Sequence, residues 1–227
     1  NSISSCSFTV TVADNEAPTV TSCPANVSVN NDATVCGATI DPNDPVFADN
    51  CSVTKVTWSM TGATTASSPA TGLNYVGSTF FNVGTTTISY TAYDAAGNSI
   101  SSCSFTVTVA DNEAPNITTK PYTANLDPIT GTITINPSDV YLSGSDNCRT
   151  VNLVSVTPNT FYCDNLGANT VTLLVNDGHG NESTATATVT VQYTPGYEPS
   201  ISITPATQTI CNNANTNISL ASNITAT

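Results

Sequence analysis

The sequence predicts an all-β protein made of tandem antiparallel β-sandwiches, and three observations carry that prediction. Residues 1–18 and residues 98–115 both read NSISSCSFTVTVADNEAP, an offset of 97 positions that suits one sandwich domain. Apolar residues alternate with Thr and Ser in run after run, the period of half-buried strands with β-branched Thr on the solvent face. Gly, Pro, Asn and Asp cluster between these runs, and no stretch has a 3.6-residue period. An identical segment duplicated at domain spacing is the mark of a repeat array.

Taken in order, residues 1–13 read as the last strand of a preceding module, with Phe8, Val10 and Val12 alternating with Thr9 and Thr11. Residues 17–113 form a complete module. It opens with CPANVSV at 23–29, turns through DPNDP at 41–45, and continues into VTKVTWSM at 53–60, where Val56, Trp58 and Met60 point inward and Lys55 outward. A Gly/Ser/Thr-rich insertion at 61–78 reads as a mid-domain loop and, with Tyr75 and Phe80 nearby, as a ligand-facing one. AAGN at 95–98 is the turn before the closing strand Phe105-Thr106-Val107-Thr108-Val109. Residues 114–193 are a second, diverged copy. Its Gly180-Asn181 aligns with Gly97-Asn98 at an offset of 83, fourteen fewer than in the first copy, and Ile133-Thr134-Ile135 keeps the alternation. Pro195-Gly196-Tyr197 reads as a linker, and 197–227 as the start of a further, incomplete module.

Composition narrows function. Only 8% of residues are charged, 16 acidic against three basic (Lys55, Lys120, Arg149), for a net charge of −13. Hydration rests on Thr, Ser and Asn, and the charge repels phosphate backbones and anionic membranes, which excludes nucleic-acid binding. No apolar run exceeds three residues, so no membrane insertion is expected in this window. Eight cysteines flank strand-like runs without the CxxC or HxxxH spacings of zinc sites. They read as disulfides formed in an oxidising compartment, which places the protein outside the cell or on its surface.

The search for catalytic groups points away from an enzyme. The one histidine, His179, lies in the tight turn DGHGN, with no nucleophile motif or Gly-rich phosphate loop to accompany it. Lys55 faces outward, against an internal isopeptide bond. Trp58 is assigned to the core rather than to a sugar-stacking platform.

FADNC at 47–51 and FNVGTTTISYTAYDAAGNSISSCSFTVTV at 81–109 resemble the HYR (hyalin repeat) family, an immunoglobulin-like and cadherin-like sandwich module. The resemblance spans about ninety residues; the second copy keeps SDNC at 145–148 and the GN at 180–181, but has Lys120 and Ala185 where the first has Cys23 and Cys103. It implies a non-catalytic repeat segment of a secreted or cell-surface adhesin or filament, an extended disulfide-stapled stalk. The Thr/Asn-rich composition is similar to giant multi-repeat adhesins of gliding Bacteroidetes. In such a sandwich the first and last strands begin at one pole, which implies Cys23–Cys103, and then Cys36–Cys51 and Cys148–Cys163, with Cys6 and Cys211 paired outside the window.

ADNEAP at 13–18 and 110–115 is similar to the cadherin linker that holds calcium between domains. The resemblance implies structural Ca2+ sites drawn from Asp14, Glu16, Asp41, Asp44, Asp49, Asp94, Asp111, Glu113, Asp139, Asp146 and Asp177. These acids equally suit turn caps and a solvated linker, and both readings stand at this stage. The partners expected are neighbouring repeats, with surface polysaccharide or lateral self-association in addition. The alternative function is a carbohydrate-binding module of a secreted multidomain enzyme.

Overall fold

The computed structural model describes residues 4–194. The predicted start of a further immunoglobulin-like module at 197–227, Cys211 included, lies outside the described residues. The described residues divide into two compact units, one within 1–113 and the other within 114–227.

The first unit contains β1 (Thr19–Ser22), β2 (Val27–Asn30), β3 (Gly37–Ile40), β4 (Val46–Ala48), β5 (Val53–Gly62), β6 (Ala66–Ser67), β7 (Thr79–Asn82), β8 (Gly84–Asp94) and β9 (Ser99–Ala110). One sheet has the order β2-β9-β8-β5-β6, and the pairs β1-β4 and β3-β7 lie apart from it. The sheet's long strands alternate as the sequence does: Cys103, Phe105, Val107 and Val109 of β9 are buried, with Ile88, Tyr90 and Ala92 of β8 beside them. Phe81 of β7 and Ala38 of β3 complete the core. Trp58 packs partly buried against this cluster, as its inward phase implies. The opening strand is divided in two. β1 pairs antiparallel with β4, and after Cys23 and Pro24 the chain crosses to pair β2 in parallel with β9.

The second unit repeats this plan with β10 (Asn116–Thr119), β11 (Tyr122–Leu126), β12 (Thr132–Thr134), β13 (Tyr141–Ser145), β14 (Asn152–Thr157), β15 (Thr160–Tyr162), β16 (Gly167–Asn176) and β17 (Glu182–Tyr193). The order β11-β17-β16-β14 matches β2-β9-β8-β5, and β10-β13 and β12-β15 match the two short pairs. The strand without a counterpart is β6, which belongs to the 61–78 insertion. That insertion is a built extension of the sheet rather than a free loop. Asn74 Nδ2 donates to the carbonyls of Val56 and Thr71, the Asn74 N–H donates to Val56, and Val76 is buried. One helical turn, α1 (Pro137–Val140), has no periodic signal because it is too short for one. Asp139 Oδ2 accepts the Asn136 N–H at 2.7 Å, the usual closure of a helix start.

Cys23 and Cys103 are joined, with Cα atoms 5.5 Å apart, and the bond closes a span of 80 residues between the crossover and β9. In the second unit Thr119 Oγ1 instead donates to the Thr186 carbonyl at 2.7 Å, beside Lys120. The other expected bridges do not form as assigned. Cys51 carries a free, exposed thiol, so it is not joined to Cys36, which is itself disulfide-bonded. The two sit at opposite poles. Cys36 precedes β3 beside Asn31, whose N–H bonds Ala110 at the end of β9, whereas Cys51 precedes Val53, which pairs with Asp94 at the β8–β9 turn. A strand of this length separates them by about 30 Å, and a disulfide spans Cα atoms less than about 7 Å apart. Cys148 and Cys163 are both disulfide-bonded but likewise lie at opposite ends of their sandwich. Cys148 sits near the β16–β17 turn, whereas Cys163 Sγ lies 3.6 Å from the Gly131 carbonyl oxygen, near the end of β11. They are therefore not joined to each other.

Candidate functional site

The pole of the first unit at the β8–β9 turn gathers Asp14 from the segment entering the sandwich, Asp49 from the loop after β4, and Asp94 from the end of β8. Ligand oxygens of the three lie within 4.8 Å of one another, a spacing at which a metal ion could be held. Each carboxylate is placed by its own turn. Asp94 Oδ1 accepts the Gly97 and Asn98 N–H groups at 2.6 and 2.8 Å, and Oδ2 accepts the Asn98 side chain at 2.7 Å. Gly97 takes φ +97°, a backbone that residues with a Cβ rarely adopt, and so lets the turn close on the carboxylate. Asp49 Oδ2 accepts the Cys51 N–H at 2.8 Å, and Asp14 Oδ1 accepts the Glu16 N–H at 3.1 Å.

Turn capping thus accounts for Asp94 but leaves oxygens over. Asp49 Oδ1 and Asp14 Oδ2 are buried from solvent and accept no hydrogen bond, which is costly for an ionised group. Lys55, the one basic residue among 4–113, is engaged elsewhere, its Nζ 3.4 Å from the centroid of the Tyr93 ring. Burial opposes ionisation of Asp94, yet hydrogen bonds from the Asn98 side chain and the backbone of Ala96, Gly97 and Asn98 outweigh it and hold the carboxyl below its usual range. The Cys51 thiol is pushed the other way, first by the Asp14 carboxylate beside it and then by burial and the charges of Asp49 and Asp94. Ser52, next to it, holds φ +98°, a strained backbone for a residue with a side chain.

The opposite pole holds the segment that leaves the sandwich. Asp111 is buried, and its Oδ1 accepts the Glu113 N–H at 3.2 Å. Asn31 Oδ1 accepts the Asn112 N–H at 3.0 Å, and Glu113 Oε1 accepts the Thr34 N–H at 2.7 Å, which ties the β2–β3 loop to this linker.

The second unit has the same capping chemistry. Asp146 Oδ2 accepts the Cys148 and Arg149 N–H groups, and Asp146 Oδ1 is buried without a hydrogen bond. Asp177 caps its turn through His179 N–H and Asn181 Nδ2, each at 2.6 Å, and those bonds hold its carboxyl low against the opposing effect of burial. His179 is exposed in that turn. The remaining acidic candidates lie elsewhere. Asp41 and Asp44 share the β3–β4 loop, where burial and then Asp41 push the Asp44 carboxyl up. Asp139 closes α1, and Glu16 is exposed.

Sequence reasoning missed Asn98 and Asn31 as site residues. Asn98 Nδ2 donates to the Asp14 carbonyl as well as to Asp94, so one amide fastens the entering linker to the turn. The signal was the Asp four residues before an Asn in YDAAGN, repeated as DGHGN.

Among the described residues no helix is long and apolar enough to cross a membrane. A serine-rich adhesin for platelets from Staphylococcus aureus is 30% identical over 192 residues, which cover 79% of this chain and 8% of the adhesin. The chain therefore spans under a tenth of that relative. Among solved structures, the protocadherin gamma B2 extracellular domains 3–6 have a TM-score of 0.41 at 12% identity, covering 81% of this chain and 55% of that one. Drosophila N-cadherin EC1-4 has a TM-score of 0.36 at 14% identity, covering 78% and 50%. The fold assignment rests on the strand order rather than on these distant likenesses. Residues 13–109, the first sandwich together with the acidic linker that enters it, match the HYR domain.

Proposed function

We propose that this chain is a non-catalytic spacer segment of an extracellular or cell-surface adhesin, in which sandwiches follow one another and extend a binding domain carried elsewhere. The observation that carries the reading is the acidic linker ADNEAP, repeated identically at 13–18 and 110–115. Its first acid, Asp14, meets Asp49 and Asp94 at the pole of the sandwich it enters. Calcium is the fitting occupant. It is a hard cation that prefers carboxylate and carbonyl oxygens. The buried, unbonded Asp14 Oδ2 and Asp49 Oδ1 are donors of that kind. A bound ion would neutralise three carboxylates that have no cationic neighbour and stiffen the joint between linker and sandwich. The adhesin relative and the HYR match over residues 13–109 support the setting.

Small-angle X-ray scattering on the chain in calcium and then in a chelator tests this. A stiff elongated particle that loosens in chelator is the expected result; a flexible particle in both conditions counts against a spacer. A second reading, a carbohydrate-binding module, draws on the exposed Leu73, Tyr75 and Phe80 in and beside the insertion. Saturable binding of one sugar class on a glycan array, lost in a Tyr75→Ala variant, would favour it.

A further inference from the structure

The two linkers are identical in sequence, so the contacts each makes can be read onto the other. At 13–18 the chain enters a sandwich, and Asp14 meets Asp49, whose Oδ2 accepts the Cys51 N–H at 2.8 Å. At 110–115 the chain leaves the same sandwich, and Glu113 holds the Thr34 N–H at 2.7 Å. Asn31 binds the same linker through Asn112 and reaches the Val35 carbonyl with its side chain. Asp14 corresponds to Asp111, and Glu16 to Glu113. A linker flanked by modules on both sides would therefore touch a residue of the Cys51 type at its Asp, and the loop carrying a residue of the Cys36 type at its Glu, two positions on. Thr34 and Cys36 are themselves separated by about 7 Å of chain at most, and a disulfide joins Cα atoms about 5.5–6 Å apart.

The oxidation states agree with such a meeting. Cys36 is disulfide-bonded, yet it bonds none of the other cysteines in residues 1–113, because Cys23 and Cys103 hold each other while Cys6 and Cys51 are free. Cys148 follows SDN in the second unit as Cys51 follows ADN in the first, and Cys148 is disulfide-bonded. The position is thus a half-cystine in one copy and a free, exposed thiol in the other.

We propose that Cys51 is the acceptor of an inter-module disulfide, its partner being a cysteine at the Cys36 position of a module preceding residue 13. This rests on the reading of the chain as part of an array. Forming the bond removes a hydrogen from each thiol. One thiolate attacks a disulfide of an oxidising protein, the second displaces it from the mixed disulfide, and the oxidant leaves as a dithiol carrying both electrons and both protons. The covalent joint would thus sit on the same linker as the acidic cluster, and consecutive modules would be bonded to one another along the chain.

The test lengthens the chain by one module, residues 1–109 followed directly by residues 13–227, which leaves the natural sequence at the join because 1–18 and 98–115 are identical. The upstream copy carries Cys6→Ser and Cys51→Ser, so that of the two free thiols only the downstream Cys51 is read out. After oxidative expression, alkylation with iodoacetamide under denaturing, non-reducing conditions and peptide mass mapping should show labelling of Cys51 falling about tenfold or more relative to the starting chain. Adding Cys36→Ser to the upstream copy should restore it. Full labelling of Cys51 with both Cys23–Cys103 bonds intact overturns the proposal, and an elongated particle in scattering would then leave the array reading standing. Where the lengthened chain fails to fold, mapping the native array decides the matter: a Cys51 peptide linked to a Cys36-type peptide supports the joint, and a free Cys51 throughout overturns it.

Discussion

Asn98 and Asp94 form a closed unit. The Asn98 side chain donates to Asp94 Oδ2 at 2.7 Å, while its own N–H donates to Oδ1 at 2.8 Å, so one residue satisfies both oxygens of the carboxylate. Asn181 and Asp177 repeat the pair at 2.6 and 3.2 Å. Four-residue turns of this kind bond the ionised acid and not its protonated form.

That preference sets the acid limit of stability. The Asp94, Asp127 and Asp177 carboxyls all lie below the usual 3.8 in the folded chain. Their stabilisation is therefore fully present above the unfolded value and is lost as pH falls through the lower folded values. Thermal melting followed from pH 7 to pH 2 should show Tm falling below about pH 4, and the Asp94→Asn variant should have a shallower acid limb.

The Cys23–Cys103 bridge closes 80 residues and should contribute about 4 kcal/mol in the chain-entropy account. Cys23→Ser, compared with the parent by urea denaturation without reductant, should lose roughly that amount. The second unit offers the reverse experiment. Lys120 and Ala185 stand at the matching positions, so Lys120→Cys with Ala185→Cys should form a bridge and raise that unit's stability by up to about 4 kcal/mol.

Tyr90 is buried, and its hydroxyl accepts the Val76 N–H at 3.2 Å, anchoring the insertion to the core. Tyr90→Phe removes the acceptor but keeps the ring, leaving a buried N–H unsatisfied at a cost of about 1–3 kcal/mol. Hydrogen exchange at Val76 should accelerate while exchange across β8 and β9 changes little. Burial also pushes the Tyr90 hydroxyl up to about 12, so its contribution is complete below the ordinary tyrosine value of 10 and is lost as pH rises through the folded value. Alkaline difference absorbance should record one tyrosine ionising late.

Calcium retention should depend on the acids whose oxygens are left over by the turns. Asp49→Asn, measured by isothermal titration, should weaken calcium binding about tenfold or more. Asp139→Asn, in a carboxylate that closes α1, should leave it unchanged. Equal affinity in both variants would remove Asp49 from the site.

The alternation of apolar residues with Thr was enough to place the sheets, because burial on one face of a strand leaves its period in the sequence. Val107 and Val109 are buried and Thr108 is not, as FTVTV implies. The meeting of Asp14 with Asp94 was also legible, through the linker resemblance. Cysteine pairing was less so. Cys36 and Cys51 are fifteen residues apart in sequence, but the turn through β3 and β4 carries the chain from one pole to the other, and sequence distance does not reveal that. The structured insertion was hidden for a related reason. Its order comes from side chains such as Asn74 and Tyr90 bonding backbone groups that no periodicity marks.

Residues 4–12 have the letters of β9 and none of its surroundings. Phe8, Val10 and Val12 are 86, 72 and 90% exposed, while their counterparts Phe105, Val107 and Val109 are at most 2% exposed. A segment with a strand's alternation in that condition is half of an unmet pairing, and any edge that accepts it will do. The seam along which these repeats can be cut cleanly therefore falls at the linker rather than at the start of the repeated text. A fragment that begins at residue 13 carries its acidic linker into solution, whereas one that begins at residue 1 also carries a loose adhesive tape.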